Sequence, residues 1–253
     1  MSHVTLVTGA SRGIGKAIVE ILLKDASSKV VAVARSQAPL ESLQKQYGSD
    51  RVAYVAGDIT SPEVAKKAVN TAISQFGQLD AVIANAGVLD PIGPIETTDI
   101  EKWKELYDIN FFSVVELIKQ SLPHLKKTKG RVIGVSSIAA FTEFSGWYAY
   151  GSSKAALNHL MLSLAAEEKE ILAIAVAPGV VDTEMQSEIR SVHGKNMKKE
   201  NFQQFVDLHE GQKLVPPEAP ATVYANLALK GWSDDINGKY LDFDNEILKE
   251  YQM

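Results

Sequence analysis

The chain has 253 residues, 45% of them apolar and 23% charged, and a net charge of −5. That balance provides apolar side chains for one large core, and a mild charge without a long basic run argues against a nucleic-acid or anionic-membrane surface. Cysteine is absent, which excludes disulfides, thiolate ligands and thiol nucleophiles, and the five histidines show no HxxxH or HxH spacing, so no metal is expected.

The chain opens MSHVTLVTGASRGIG, where the apolar stretch is too short for a signal peptide. No apolar run approaches the ~20 residues of a membrane span, and the expected location is cytoplasmic. Residues 4–8 read as a β-strand ending in Gly9, and residues 15–24 carry Ala17, Ile18, Ile21 and Leu22 at helical spacing. Between them Gly9-Ala10-Ser11-Arg12-Gly13-Ile14-Gly15 has the spacing GxxxGxG, not GxGxxG. Strand, glycine turn and helix is the setting in which backbone N–H groups hold a pyrophosphate. The alternative is a tight turn whose glycines serve the backbone alone.

Residues 29–34, KVVAVA, form a second expected strand. Where an NAD-binding unit would place an Asp or Glu to accept from a ribose hydroxyl, this chain has Ala34 and Arg35. A neutral residue followed by a guanidinium suits a 2′-phosphate, and Arg12 could add a second cation, so together they favour NADPH. Residues 52–56 form a third strand, followed by Gly57, Asp58, Ile59 and Thr60. Asp58 reaches an adenine amino group, or else Ser61 or Asp58 simply caps a helix over 62–76. Residues 79–84 form a fourth strand, and the small residues of Asn85-Ala86-Gly87 permit close approach of a cofactor or of the first turn.

Residues 99–127 have a helical pattern with Trp103, Leu106, Ile109, Val114, Leu117 and Ile118 inward, and Pro123 bends or ends it. Asn110 falls on the apolar face, where its amide either satisfies nearby backbone or holds a water beside Lys154. Residues 130–136 form the fifth strand, with Ser137 at its end. Phe141, Phe144 and Trp147 follow as aromatic pocket walls or core residues. Then come Tyr150 and Lys154, four residues apart at the start of a helical pattern, hence on one face. A cation beside a phenol lowers its pKa toward the range a general acid or base needs, and the Ser137 hydroxyl could steady a charged substrate oxygen. Such a pair also arises by chance, as an amphipathic tyrosine and a solvated lysine.

Residues 171–176 form the sixth strand, and Pro178, Gly179, Val180, Val181, Asp182 and Thr183 leave it as a loop. Residues 182–214 turn polar, with Met185, Met197, Phe202 and Phe205 spaced as on short amphipathic helices, and form either a lid or a solvated insertion. A helix over 216–230 and a strand over 238–243 complete the chain. Alternating strands and helices imply one α/β domain, doubly wound, with a mostly parallel seven-stranded sheet. Ligands of such sheets bind at the C-terminal strand ends, where Gly9, Arg35, Asp58, Asn85, Ser137 and Pro178 all fall.

In combination these motifs resemble the short-chain dehydrogenase/reductase family from residue 4 to about residue 243, which implies a Rossmann-type fold. Thr8-Gly9-x-x-x-Gly13-x-Gly15 is similar to its cofactor loop, Asn85-Ala86-Gly87 to its sheet-stabilising motif, and Pro178-Gly179 to the turn before Thr183. Asn110, Ser137, thirteen residues before Tyr150, and the Tyr150 and Lys154 pair match its catalytic set. The resemblance implies that Tyr150 is the acid/base, that Lys154 lowers its pKa and holds the nicotinamide ribose, that Ser137 steadies the substrate oxygen and that Asn110 anchors a relay water. Thr183 would hold the carboxamide. It assigns NADPH to Gly9, Ser11, Arg12, Gly13, Ile14, Gly15, Arg35, Asp58, Ile59, Asn85, Ala86, Gly87, Tyr150, Lys154, Pro178, Gly179, Val181 and Thr183. Ser137, Phe141, Phe144, Trp147, Tyr150 and Met185 would meet a small-molecule carbonyl substrate. More narrowly the chain resembles the benzil-reductase branch near sepiapterin reductase, which reduces one carbonyl of a 1,2-diketone. Alternatives on the same fold are an NADP-dependent alcohol dehydrogenase and a non-catalytic NADPH-sensing interaction protein. A homodimer or homotetramer pairing through the helices over 99–127 and 150–168 is a family expectation.

Overall fold

The computed structural model describes residues 2–253, and these form a seven-stranded sheet with helices on both faces. Strand β1 (His3–Thr8) leads to helix α1 (Gly13–Leu22), β2 (Ser28–Ala34) to α2 (Gln37–Tyr47) and β3 (Val52–Ala56) to α3 (Pro62–Phe76). After β4 (Ala81–Ala84) come α4 (Ile100–Tyr107) and α5 (Ser113–Thr128), and after β5 (Arg131–Val135) comes α6 (Tyr148–Glu167). Strand β6 (Leu172–Ala177) is followed by α7 (Glu184–Glu188), α8 (Lys199–Glu210) and α9 (Glu218–Lys230), and β7 (Tyr240–Asp242) completes the sheet.

The strand order is β3-β2-β1-β4-β5-β6-β7, every pair parallel. The chain winds outward from β1 to β3, then returns to lay β4 on the other side of β1. That reversal opens a crevice beyond the C-terminal ends of β1 and β4. The strands are apolar without alternation because both faces are covered: Val30 and Ala32 of β2 join the core under α1 and α9, Val31 and Val33 the core under α3, α5 and α6. A leucine taken fully out of water, as Leu22 and Leu157 are, contributes about 2 kcal/mol.

Two helices depart from the sequence pattern. The segment over 99–127 is not one helix: Asp99 caps α4 by accepting from the N–H of Glu101 at 2.9 Å, and a π-helical turn, Asp108–Phe112, joins α4 to α5. Pro123 neither ends α5 nor sits against the core. It and Lys119, whose carbonyl loses its partner, are exposed, while buried Leu117, Ile118, Ser121 and Leu125 hold the helix on both sides of it. Helix α2 was not marked by periodicity because it buries only Leu40 and Leu43.

A third apolar cluster stands at the C-terminal edge of the sheet. Ile189, Met197 and Phe205, from the excursion over 182–214, pack there with Leu89, Leu106, Trp147 and Tyr150. The excursion is therefore anchored on the sheet edge and is not a solvated insertion; a parallel bridge between Val181 and Val215 pins its two ends together.

Candidate active site

A cleft of about 770 Å³ lies over the C-terminal ends of the strands. Its walls include Gly9, Ser11, Gly13, Ile14 and Gly15 from the first turn, Arg35 after β2, Asp58 and Ile59 after β3, and Ala86 and Gly87 after β4. Pro178, Gly179, Val181 and Thr183 close it from the β6 side. Every residue that sequence reasoning assigned to the dinucleotide thus borders one space.

The first turn is built for close approach. Asn85 donates from Nδ2 to the Thr8 carbonyl at 2.8 Å, and the Thr8 hydroxyl accepts from the N–H groups of Asn85 and Ala86, each at 3.0 Å. These bonds tie the ends of β1 and β4 together. Gly9 has φ 66°, and a Cβ there would stand 2.7 Å from Asn85 Nδ2; a Cβ on Gly15 would stand 2.2 Å from the Gly9 carbonyl oxygen. Beside Gly13 the nearest neighbour a Cβ would meet is the Thr183 methyl, 3.4 Å away. Helix α1 starts with neither a capping side chain nor an acidic residue, so its leading N–H groups keep their capacity for an anion. This cradle, with Arg35 in place of a carboxylate, fits a nicotinamide dinucleotide.

Two charged residues of the cleft wall have partners that the sequence did not show. Arg12 is paired with Glu184 in the first turn of α7, both more than half exposed, so its charge is already engaged across the mouth of the cleft. Asp58 does not cap α3; its Oδ1 accepts from the Thr60 N–H at 2.9 Å and hydroxyl at 2.8 Å. Those bonds, with a smaller contribution from Arg35, hold its carboxyl below the usual carboxylate range. Ser61 stands at the α3 N-cap but makes no capping bond.

Tyr150 and Lys154 lie on the first turns of α6 at the inner end of the cleft, and both are buried. The Lys154 ammonium donates to the Val135 carbonyl at 2.7 Å and stands 5.7 Å from the centre of the Tyr150 ring. Burial brings the Lys154 pKa down to about 8. Burial also pushes the Tyr150 phenol up, opposed by the Ser137 hydroxyl. Desolvation outweighs that hydroxyl, so the phenol is raised where the spacing had led to an expected lowering. Ser137 lies at the end of β5, lines the cleft and caps a short turn by accepting from the Ala139 N–H at 3.2 Å.

Asn110 sits in the π-helical turn, buried behind the cleft. Its Oδ1 accepts from the Val88 N–H at 2.8 Å, and its Nδ2 donates to the Val88 carbonyl at 2.9 Å and to Ser153 Oγ at 3.2 Å. Its side chain thus satisfies backbone, one of the two roles open in the sequence. A Cβ on Gly87 would stand 3.3 Å from Asn110 Oδ1 and 3.6 Å from the Lys154 nitrogen, so the small residue there leaves both side chains their space.

Phe144 and Trp147 line the cleft with Met185, but Phe141 does not: it is 68% exposed, its ring edge-on to Tyr240 with centres 4.8 Å apart. The cleft wall gains instead Phe205 of α8, stacked on Trp147 at 5.4 Å, with Phe144 on the same indole at 4.9 Å. Trp147 meets the Tyr150 ring edge to face at 5.5 Å. Gln186 and Ile189 also border the cleft, and sequence reasoning passed over both. Phe205 had a signal in its helical spacing; Gln186 had none. Among the described residues no cluster of three metal-binding side chains occurs, and no helix is long and apolar enough to cross a membrane.

Comparison with known proteins matches this architecture. The family described as short chain dehydrogenase matches residues 3–194. A benzil reductase of the (S)-benzoin-forming type from Saccharomyces cerevisiae is 41% identical over 262 residues, covering 100% of each chain. A short-chain dehydrogenase/reductase from the same yeast superposes with a TM-score of 0.98 at 50% identity, over 100% of both chains. A variant of ElxO with NADPH bound superposes with a TM-score of 0.81 at 27% identity, over 98% of this chain and 100% of that one.

Proposed function

The chain belongs to the short-chain dehydrogenase family, an oxidoreductase family that uses nicotinamide cofactors, and from that premise we propose that it is an NADPH-dependent carbonyl reductase acting on aromatic 1,2-diketones. The observation that carries the proposal is the buried Tyr150 and Lys154 pair at the inner end of the cleft, beside Ser137 and under the Phe144, Trp147 and Phe205 stack. The 41% identity to a benzil reductase supports the substrate class.

When bound, the nicotinamide supplies a hydride to the substrate's carbonyl carbon. Tyr150 donates its phenolic proton to the oxygen as negative charge builds there. Burial keeps the phenol protonated before reaction, which suits reduction, where a proton is given. Ser137 donates a hydrogen bond to the same oxygen, stabilising the charge in a water-poor site. Lys154 places a cation behind the phenol, favouring the phenolate left after proton transfer, and Asn110 fixes the Val88 backbone beside it. Arg35 donates to the 2′-phosphate, and the segment over 182–214 covers the substrate as a lid. Exposed Phe112, Tyr148 and Leu162 are surfaces that a second copy would cover in a dimer or tetramer. The location we assign is the cytoplasm.

The test is NADPH oxidation, with NADH in parallel, against benzil, quinones, simple ketones and sepiapterin. Turnover of benzil with NADPH preferred supports the proposal. Tight NADPH binding with no turnover of any carbonyl contradicts it.

A further inference from the structure

Side chains alternate along β5. Val132 joins the core under α3, α5 and α6, and a Cβ on Gly134 would touch Leu157 of α6 at 3.4 Å, while Ile133 and Val135 join the core under α1 and α9. Ser136, 1% exposed, continues the first row: its hydroxyl donates to Asn158 Oδ1 of α6 at 2.6 Å. Its N–H donates to the Val176 carbonyl of β6 at 2.8 Å, and that carbonyl also accepts from the Tyr224 hydroxyl of α9 at 2.9 Å. Asn158 stands one turn beyond Lys154 on the same face of α6, and Lys154 donates to the carbonyl of Val135, the residue before Ser136. Two successive residues at the end of β5 are therefore fastened to the helix that carries Tyr150. Ser137 comes next, with extended backbone, and its hydroxyl is a hydrogen-bond partner of the Tyr150 phenol.

Asn158 does not itself border the cleft, and its Nδ2 is buried without a partner. An unpaired buried donor costs about as much as one neutral hydrogen bond returns, or more, so this amide is a poor packing element. We propose that Asn158 is a positioning residue: through the Ser136 hydroxyl it fixes the end of β5 against α6, and so holds the Ser137 hydroxyl on the oxygen that Tyr150 protonates. The inference rests on the carbonyl-reductase function proposed above and adds a residue that touches neither substrate nor cofactor. A hydroxyl moved off the developing charge weakens the transition state more than the bound ground state, so the loss falls on kcat.

The experiment is a double-mutant cycle on kcat for benzil at saturating NADPH. Asn158→Leu is expected to lower kcat about tenfold, with the benzil KM and the NADPH dissociation constant within about threefold of wild type. Ser136→Ala/Asn158→Leu, in which both partners become apolar, should keep a Tm at or above the wild-type value and show the same loss of kcat; it answers the question if Asn158→Leu fails to fold. In a Ser137→Ala background the same substitutions should lower kcat less than about twofold, because the hydroxyl they position is gone. A loss as large in that background as in wild type assigns Asn158 to packing of α6 and overturns the proposal, as does an unchanged kcat in the folded variants. Wild-type protein that binds NADPH and turns over no carbonyl overturns the carbonyl-reductase function itself, and this inference with it.

Discussion

Lys154 holds its ammonium 5.7 Å from the centre of the Tyr150 ring and donates one hydrogen bond to the Val135 carbonyl at 2.7 Å. A cation is thereby kept in a buried position with a single protein partner. Its pKa falls from the ordinary 10.5 to about 8 because burial penalises the charged form. Burying this charge costs the folded chain stability.

Replacing that lysine should therefore stabilise the apoprotein while removing activity. A fall from 10.5 to about 8 corresponds to about 3 kcal/mol at neutral pH, from which about 1 kcal/mol is subtracted for the lost bond to Val135. Lys154→Met is expected to raise the apo Tm at pH 7 by several degrees and to lower kcat by at least about 100-fold. Since the folded pKa lies below the unfolded one, the unfolded chain binds more protons between pH 8 and 10.5, and wild-type stability gains with pH across that window. The Tm difference between variant and wild type should be largest below about pH 8 and close as pH approaches 10.5. A variant less stable than wild type at pH 7 would contradict the account.

Arg35 and Arg12 should not contribute equally to cofactor choice. Arg12 is engaged by Glu184, whereas Arg35 forms no salt bridge among the described residues. Arg35→Ala is expected to lower the NADPH to NADH ratio of kcat/KM about 30-fold, the loss of a charge-assisted phosphate contact. Arg12→Ala should change it less than about fivefold, since it forfeits an exposed ion pair worth little. Steady-state kinetics with both cofactors decides; equal effects would contradict the difference seen in pairing.

The amide of Asn110 makes three hydrogen bonds, two of them to the backbone of Val88. Asn110→Ala leaves that N–H and carbonyl without their partner and should cost about 2 kcal/mol, seen as a lower midpoint in urea without a change in slope. Asn110→Asp keeps the acceptor and loses the donors, so it should recover only part of the loss.

Much of the sheet and of the cleft's wall was legible because glycine, small residues and unbroken apolar runs leave local marks. Gly9, Gly13 and Gly15 marked the first turn, and the doubly apolar strands marked a parallel sheet covered on both faces. The joined helices α4 and α5 were misread because a π-helical turn keeps the apolar stripe nearly in phase, so periodicity runs through Asp108–Phe112 without a break. Phe141 and Phe144 could not be told apart from sequence: both are aromatic residues on one irregular segment, and only the fold turns one outward and the other onto Trp147. The pairing of Arg12 with Glu184 and the burial of Gln186 join residues remote in sequence, or depend on how α7 seats on the cleft, and neither leaves a local pattern.

The central claim is that Tyr150 gives the proton to the reduced carbonyl. Its most direct test is Tyr150→Phe, assayed for NADPH oxidation with benzil and, in parallel, for NADPH binding by fluorescence. The account predicts kcat lower by about 1,000-fold or more with the NADPH dissociation constant within about threefold of wild type. Turnover within tenfold of wild type would contradict it.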